Sequence, residues 1–249
     1  MTAATIVIPA RLDSSRFPGK ALVAETGRAL VLHVADRAAM AKTADRVIVA
    51  APDREILDVV TAAGVEAMET RLDHPNGTSR LAEVAGRLAE ELPEDAILVN
   101  VQGDEPEIEP EAIDAVVAAL GSDPEAEMAT IATPFEPGED PGNPNIVKVV
   151  TDLAGRALYF SRSLVPFDRD ATGHRPRRHV GLYAYRRGFL PRFAAWPESP
   201  LERLERLEQL RVLENGGRIV VAEHPCRGTG IDTPAQYEAF VARWRASHR

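Results

Sequence analysis

The sequence predicts an α/β protein built on a mostly parallel sheet. Three observations carry this: short continuous apolar runs, amphipathic segments between them, and loops bearing Gly or Pro at the run ends. Apolar, β-branched runs without polar alternation belong to strands covered on both faces, the environment of a parallel sheet. Thr5 to Ala10 is the first such run, Arg46 to Ala51 (RVIVAA) the second and Ala96 to Val101 (AILVNV) the third. Between and after them, apolar spacing predicts helices over Leu30 to Ala41, Asp53 to Ala63 with an acidic first turn, Thr78 to Glu91, and Pro110 to Leu120. Strands and helices in alternation form layers. Ligands of such sheets collect beyond the carboxyl ends of the strands, so a site is expected in the loops after Ala10, Ala51 and Val101.

From Met128 the rhythm changes. MATIAT reads as a strand, Pro134 to Pro144 as a Pro/Gly-rich loop, and IVKVVTD and ALYFS as a hairpin turning at Leu153 to Arg156. A polar loop over Arg162 to Arg178 leads into the alternating strand HVGLYAY, which puts His179, Gly181 and Tyr183 on one face. This antiparallel segment is expected at the sheet edge or as an arm. One helix is expected from Leu201 to Glu214, ended by Gly216-Gly217. RIVVAE, a loop through Gly228-Thr-Gly230 and a final helix from Pro234 complete the chain. Residues 1–249 show no repeat or linker, so one domain is expected, with roughly residues 135–190 as a hairpin region inserted in it.

The 249 residues carry 29 Lys plus Arg against 38 Asp plus Glu, a net charge of -9, with 45% hydrophobic and 27% charged residues. This is the composition of a globular protein long enough for one large core. Its single cysteine, Cys226, excludes an internal disulfide framework and multi-cysteine metal sites. The negative balance argues against nucleic acid as the main partner. Positive charge follows the N-terminal apolar run, at Arg11, instead of preceding it as in a secretory signal. No run approaches the ~20 apolar residues of a membrane span. A cytoplasmic protein without membrane association is therefore expected.

Three loops have the composition for chemistry. Pro9 to Lys20 places Arg11, Arg16 and Lys20 directly after the first strand, which suits a polyphosphate; a solvated basic loop is the alternative. It is not a Walker A loop, because Ser14 and Ala21 stand where Gly and Ser or Thr are required. Val101-Gln-Gly-Asp-Glu-Pro106 projects Asp104 and Glu105 from a strand end. Mg2+ asks for one or two carboxylates and leaves its other positions to water and phosphate, although a polar turn with Asp104 on backbone N–H groups would look the same. In Gly228-Thr-Gly-Ile-Asp-Thr-Pro234, Asp232 or Thr233 suits the N-cap of the last helix, and Asp232 is the candidate second metal carboxylate. His74 to Arg80 opens a helix where N–H groups and Arg80 suit an anion. No HExxH spacing or G-x-S-x-G elbow occurs.

Taken together, IPARLDSSRFPGK, TRLDHPNGTSRLAE, VNVQGDEP, NPNIVKVV, ALYFSRSLVPFDR, RHVGLYAY, LERLEQLRVLENG and GTGIDTPAQYE, collinear from Ile6 to Glu238, resemble the 3-deoxy-manno-octulosonate cytidylyltransferases. The resemblance implies a Rossmann-like three-layer α/β/α fold of the nucleotide-diphospho-sugar transferase type, dimerised through the hairpin. It implies Mg2+-dependent transfer of CMP from CTP to 3-deoxy-D-manno-octulosonate (KDO), with release of pyrophosphate, in lipopolysaccharide biosynthesis. By motif, Pro9, Ala10, Arg11 and Lys20 would contact CTP, with Arg11 and Lys20 on its phosphates. Ala50, Ala51, His74, Gly77 and Thr78 would shape the cytidine site. Arg80, Gln102, His179, Tyr183, Glu208 and Gln209 would line the KDO site, and Asp104 with Asp232 would bind magnesium. Arg11, Lys20, Asp104 and Asp232 are thus the expected catalytic set.

The sequence departs from the family loop, HxSGTER or HxSGTDR, at Asn76 and Ser79. The departure keeps open a related acid, such as an 8-amino analogue of KDO, as substrate; a cytidylyltransferase for a sialic acid is a separate alternative, against which HVGLYAY and LEQLR weigh. A silent nucleotide-binding module on the same fold is the reading from another class.

Overall fold

A computed structural model describes residues 2–14, 16–226 and 230–248. The Gly228-Thr229 part of the last expected loop lies outside the described residues.

Strands β1 (Ala4–Pro9), β2 (Ala44–Ala51), β3 (Glu66–Glu69) and β4 (Ile97–Asn100) are parallel and lie in the order β3-β2-β1-β4. Their apolar runs are covered on both faces: Ile6, Val7 and Ile8 are all 0% exposed. Ile6 and Ile8 pack with helices α1 (Leu30–Ala39), α2 (Arg54–Ala62) and α4 (Pro110–Ser122), while Val7 packs with α3 (Gly77–Arg87) on the opposite face. Each fully buried aliphatic side chain contributes about 1.5–3 kcal/mol of transfer free energy, which makes this alternation the main determinant of the layers. The result is the expected three-layer α/β arrangement. The chain moves outward from β1 through β2 to β3 and then returns to β4 on the other side of β1. The loops leaving β1 and β4 therefore diverge and open a crevice at their carboxyl ends.

The second half of the sheet contains β5 (Met128–Pro134), β8 (Arg177–Arg186) and β9 (Ile219–Glu223), with a hairpin of β6 (Lys148–Thr151) and β7 (Ala157–Ser161). Here one expectation is corrected. Strand β8 is neither an edge nor an arm, but runs antiparallel between β4 and β5 in the order β4-β8-β5-β9. Its apolar side chains explain this, since Val180, Leu182, Ala184 and Tyr185 are buried and need cover on both faces. The β6-β7 hairpin pairs with the start of β8 through Lys148 and Val149, and its turn bridges β9 at Arg156 and Val220. It exposes Leu153 and Leu158, and the following loop exposes Leu164 and Phe167.

The helix expected from Leu201 to Glu214 is two helices, α6 (Pro200–Glu205) and α7 (Leu210–Glu214), divided at Arg206 in the left-handed conformation (φ 55). Tertiary bonds hold the break: the Glu205 carboxylate accepts Ser161 Oγ at 2.7 Å and Arg162 N–H at 2.9 Å, while Arg162 Nε donates to the Glu205 carbonyl at 2.6 Å. Three elements were not expected: a 3-10 turn at Lys20–Leu22, the four-residue β3 and helix α5 (Phe189–Ala195), whose Pro191 reads as a breaker in sequence. The last helix, α8 (Pro234–Ser247), packs Tyr237, Phe240 and Val241 on Leu30 at the start of α1.

Candidate active site

The crevice between the β1 and β4 loops is a cleft of about 290 Å³. Pro9 and Ala10 form its floor, and Arg11, Arg16 and Lys20 reach it from the β1 loop. His74, Asn76, Gly77 and Arg80 enter from the start of α3, Gln102, Gly103 and Asp104 from the β4 loop, and Asp232 from the segment before α8. The loops approach one another closely: a Cβ on Gly103 would lie 2.7 Å from the Pro9 carbonyl oxygen, so glycine is required there.

The local alternatives left open by the sequence are resolved by these contacts. Thr233 caps α8, its side chain accepting the Gln236 N–H, which leaves the Asp232 carboxylate free to face the cleft. Asp104 spends its side chain on Lys20, with Nζ 2.5 Å from Oδ2. Lys20 Nζ also donates to the Ile231 carbonyl at 3.0 Å and lies 3.4 Å from Asp232 Oδ1, while Arg16 Nη2 is 2.9 Å from the same Oδ1. Glu105 does not project beside Asp104 as expected. It is 9% exposed, and burial together with the Asp104 charge pushes its carboxyl up to about 8.

Asn76 caps α3, its Oδ1 accepting Ser79 N–H at 2.9 Å. Behind the cap, His74 is buried, with Nε2 2.5 Å from Glu83 Oε2 and Nδ1 3.2 Å from Ser79 Oγ. Glu83 also accepts the Arg71 N–H and pairs with Arg87; these partners outweigh burial and hold its carboxyl at about 2. Arg80 is 4% exposed, with Nη1 bonded to Thr70 Oγ1 and the Arg71 carbonyl. Its burial disfavours the charged form.

The remaining expected residues form a second group away from the cleft lining. Thr78 Oγ1 donates to Glu208 Oε2 at 2.7 Å and Asn76 Nδ2 to Glu208 Oε1 at 2.9 Å, so Asn76 joins the two groups. Glu208 lies in the break between α6 and α7, and burial raises its carboxyl against the opposing pull of Thr78, Arg211 and Asn76. His179 and Tyr183 share a face of β8, as expected, with ring centroids 5.5 Å apart. The Thr130 hydroxyl donates to β8 carbonyls, so the 3.0 Å contact with His179 Nε2 requires the ring N–H as donor. The imidazole is then neutral with Nδ1 as acceptor, in keeping with burial that pushes it down to about 3. Burial also raises the Tyr183 phenol. Gln209 is 4% exposed. Ala50 and Ala51 are fully buried and lie outside the cleft lining; their carbonyls accept the N–H groups of Ala10 and Thr70.

The comparisons with known proteins agree with this geometry. The cytidylyltransferase family profile matches residues 5–219. A 3-deoxy-manno-octulosonate cytidylyltransferase of Syntrophotalea carbinolica is 50% identical over 250 residues, covering 97% of this chain and 98% of that one. The chain belongs to this cytidylyltransferase family. Another relative of the same name, from Syntrophobacter fumaroxidans, is 49% identical over 237 residues, 94% of each chain. Among solved structures, a CMP:2-keto-3-deoxy-manno-octonic acid synthetase complexed with CTP is 40% identical and superposes with a TM-score of 0.90 over 99% of this chain and 100% of that one.

Two cleft residues of this cytidylyltransferase were undervalued in the sequence. Arg16 is recognisable there as a loop cation, but its partner Asp232 is distant in sequence. Asn76 is visible as a departure from the family loop, yet only the break at Arg206 shows that its amide meets Glu208. No helix among the described residues is long and apolar enough to cross a membrane.

Proposed function

We propose that this protein transfers CMP from CTP to KDO, giving CMP-KDO and pyrophosphate and activating the sugar acid for lipopolysaccharide biosynthesis. The observation that carries the reading is the meeting of Arg11, Arg16 and Lys20 with Asp104 and Asp232 in one cleft at the β1/β4 crevice. In the proposed reaction a hydroxyl of the sugar acid attacks the α-phosphorus of CTP in line and pyrophosphate leaves. Such chemistry asks the protein mainly for positioning and charge neutralisation.

Arg11 and Lys20 take the triphosphate oxygens, with Arg16 beside them. Pro9, Ala10, His74 and Gly77 bound the nucleoside, and buried Ala50 and Ala51 support that floor from below. Thr78 and Asn76 hold Glu208 for the sugar acid, and His179 offers Nδ1 as acceptor to a sugar hydroxyl. Arg80, Gln102, Tyr183 and Gln209 complete the proposed acid-binding surface. The described residues contain no cluster of three His, Cys, Asp or Glu suited to a metal. A pair of carboxylates at a phosphate site nevertheless fits Mg2+, which takes one or two carboxylates and fills its shell with phosphate and water. Asp104 and Asp232 are the residues that would hold it. When bound, the ion supplies Lewis-acid stabilisation of phosphate charge and acidification of a ligated hydroxyl.

The test is pyrophosphate release with CTP, Mg2+ and, in parallel, KDO, 8-amino-KDO or N-acetylneuraminate, with the product identified by mass. Turnover with KDO giving the CMP-KDO mass is expected, and its loss on chelation would support Mg2+. Turnover with another acid alone would move the assignment to that acid. CTP binding without turnover on any acid would favour a silent nucleotide-binding module. We further propose a homodimer formed through the β6-β7 hairpin, supported by exposed Leu153 and Phe167, and a cytoplasmic location.

A further inference from the structure

Lys20 stands where the two candidate metal carboxylates converge. An ammonium has three N–H donors, and here three acceptors surround it: Asp104 Oδ2 at 2.5 Å, the Ile231 carbonyl at 3.0 Å and Asp232 Oδ1 at 3.4 Å. A backbone turn, an inter-segment hydrogen bond and a helix cap define the position. Gly19 in the left-handed conformation (φ 71) sets the turn that starts at Lys20, and the Ile231 N–H donates to the Asp104 carbonyl at 2.8 Å, tying the two carboxylate segments together. Thr233 caps α8 next to Asp232. The Lys20 and Asp104 side chains are 16% and 25% exposed, so solvent screens their pairing only in part.

We propose that Lys20 is a built-in occupant of the divalent-cation position, and that the Asp104–Asp232 pair admits a metal ion only when a polyphosphate draws the ammonium away. The inference rests on the metal assignment under Proposed function and adds an order to it. An ammonium and a divalent cation cannot both satisfy the same two carboxylate oxygens at contact distance, because like charges repel strongly in a partly buried site. The ammonium sits on a flexible stem, and a triphosphate in the same cleft offers it other anionic oxygens. Metal and nucleotide are then reciprocally linked, each raising the affinity for the other.

The test measures Mn2+ binding to the full-length protein by water-proton relaxation and electron paramagnetic resonance, without sugar acid, so turnover plays no part. Wild-type protein without nucleotide is expected to bind Mn2+ weakly. Lys20→Met is expected to bind it about 5–150-fold more tightly, the usual range of coupling between sites. Lys20→Arg, which keeps the charge, should remain weak, and the double variant Lys20→Met/Asp104→Asn should lose the gain. Wild-type protein with CTP should show a ternary relaxation enhancement beyond that of Mn2+ with CTP alone. Circular dichroism and melting of each variant separate loss of fold from loss of binding. Equally tight Mn2+ binding by wild type and Lys20→Met would overturn the role of Lys20 while leaving the metal assignment standing. Absence of binding in both, with or without CTP, would overturn both.

Discussion

Asn76 and Glu208, 132 positions apart in sequence, meet through a 2.9 Å hydrogen bond from the Asn76 side-chain amide to Glu208 Oε1. The same Asn76 side chain caps α3 through Oδ1. One residue thus starts a helix beside the nucleotide cleft and fixes a carboxylate of the second group. Asn76→Ser should keep the cap but fail to reach Glu208. Its melting temperature should stay near wild type while KM for the sugar acid rises about tenfold, the effect of one lost hydrogen bond to a charged group. Asn76→Ala should also lose about 1 kcal/mol of stability through the missing cap, measured by urea denaturation.

Asp104→Asn and Asp232→Asn should each lower kcat by about 10²-fold or more while leaving the circular dichroism unchanged, in line with the loss of a group that organises phosphate charge. The fold is expected to survive at Asp232 because Thr233 provides the α8 cap. Near-normal turnover in either variant would remove that residue from the mechanism.

The half-buried imidazole of His179 gives the protein a pH-dependent stability whose sign is fixed. Its pKa is pushed down from 6.5 to about 3 in the folded protein, so the unfolded chain binds the proton more readily. The contribution is fully present above pH 6.5 and is lost as the pH falls toward 3. Urea midpoints measured from pH 8 to pH 4 should therefore decline less steeply for His179→Gln than for wild type. Parallel curves would show that His179 does not titrate differently on unfolding.

Gly103→Ala would bring a Cβ within 2.7 Å of the Pro9 carbonyl oxygen, a backbone atom held by β1. The β4 loop must then shift and take Asp104 with it. A stability loss of about 1–3 kcal/mol, the usual cost of overpacking, should accompany a fall in kcat. Unchanged melting and unchanged turnover would show that the loops tolerate the wider separation.

The strands that frame the cleft were readable because burial on both faces leaves a continuous apolar run, as in Ile6 to Ile8. The loop cations were readable for a related reason, since a strand that ends at Pro9 must deliver Arg11 to Lys20 at its carboxyl edge. What sequence could not show depends on contacts between distant segments. Arg206 carries no local signal for a left-handed turn; Glu205 bound to Ser161 and Arg162 imposes it. Strand β8 has the alternation of an edge strand, and its interior place follows only from the partners on either side. The pairing of Lys20 with Asp104 and Asp232 spans 84 and 212 positions, so the sequence points that lysine to phosphate and the two aspartates to a metal without showing that they meet.

The interior place of β8 also bears on how the sheet is assembled. Strand β5 follows β4 in the chain, but the two are separated by a strand's width that only Arg177–Arg186 fills. During synthesis β1 to β4 can pair as they emerge, whereas β5 has no neighbour until β8 has left the ribosome and no second one until β9 has. Pairing at such long sequence separation slows folding and leaves strand edges open while it proceeds. Refolding should accordingly show an early, partly ordered sheet and a slower closure step that begins only when β8 slides between its two partners.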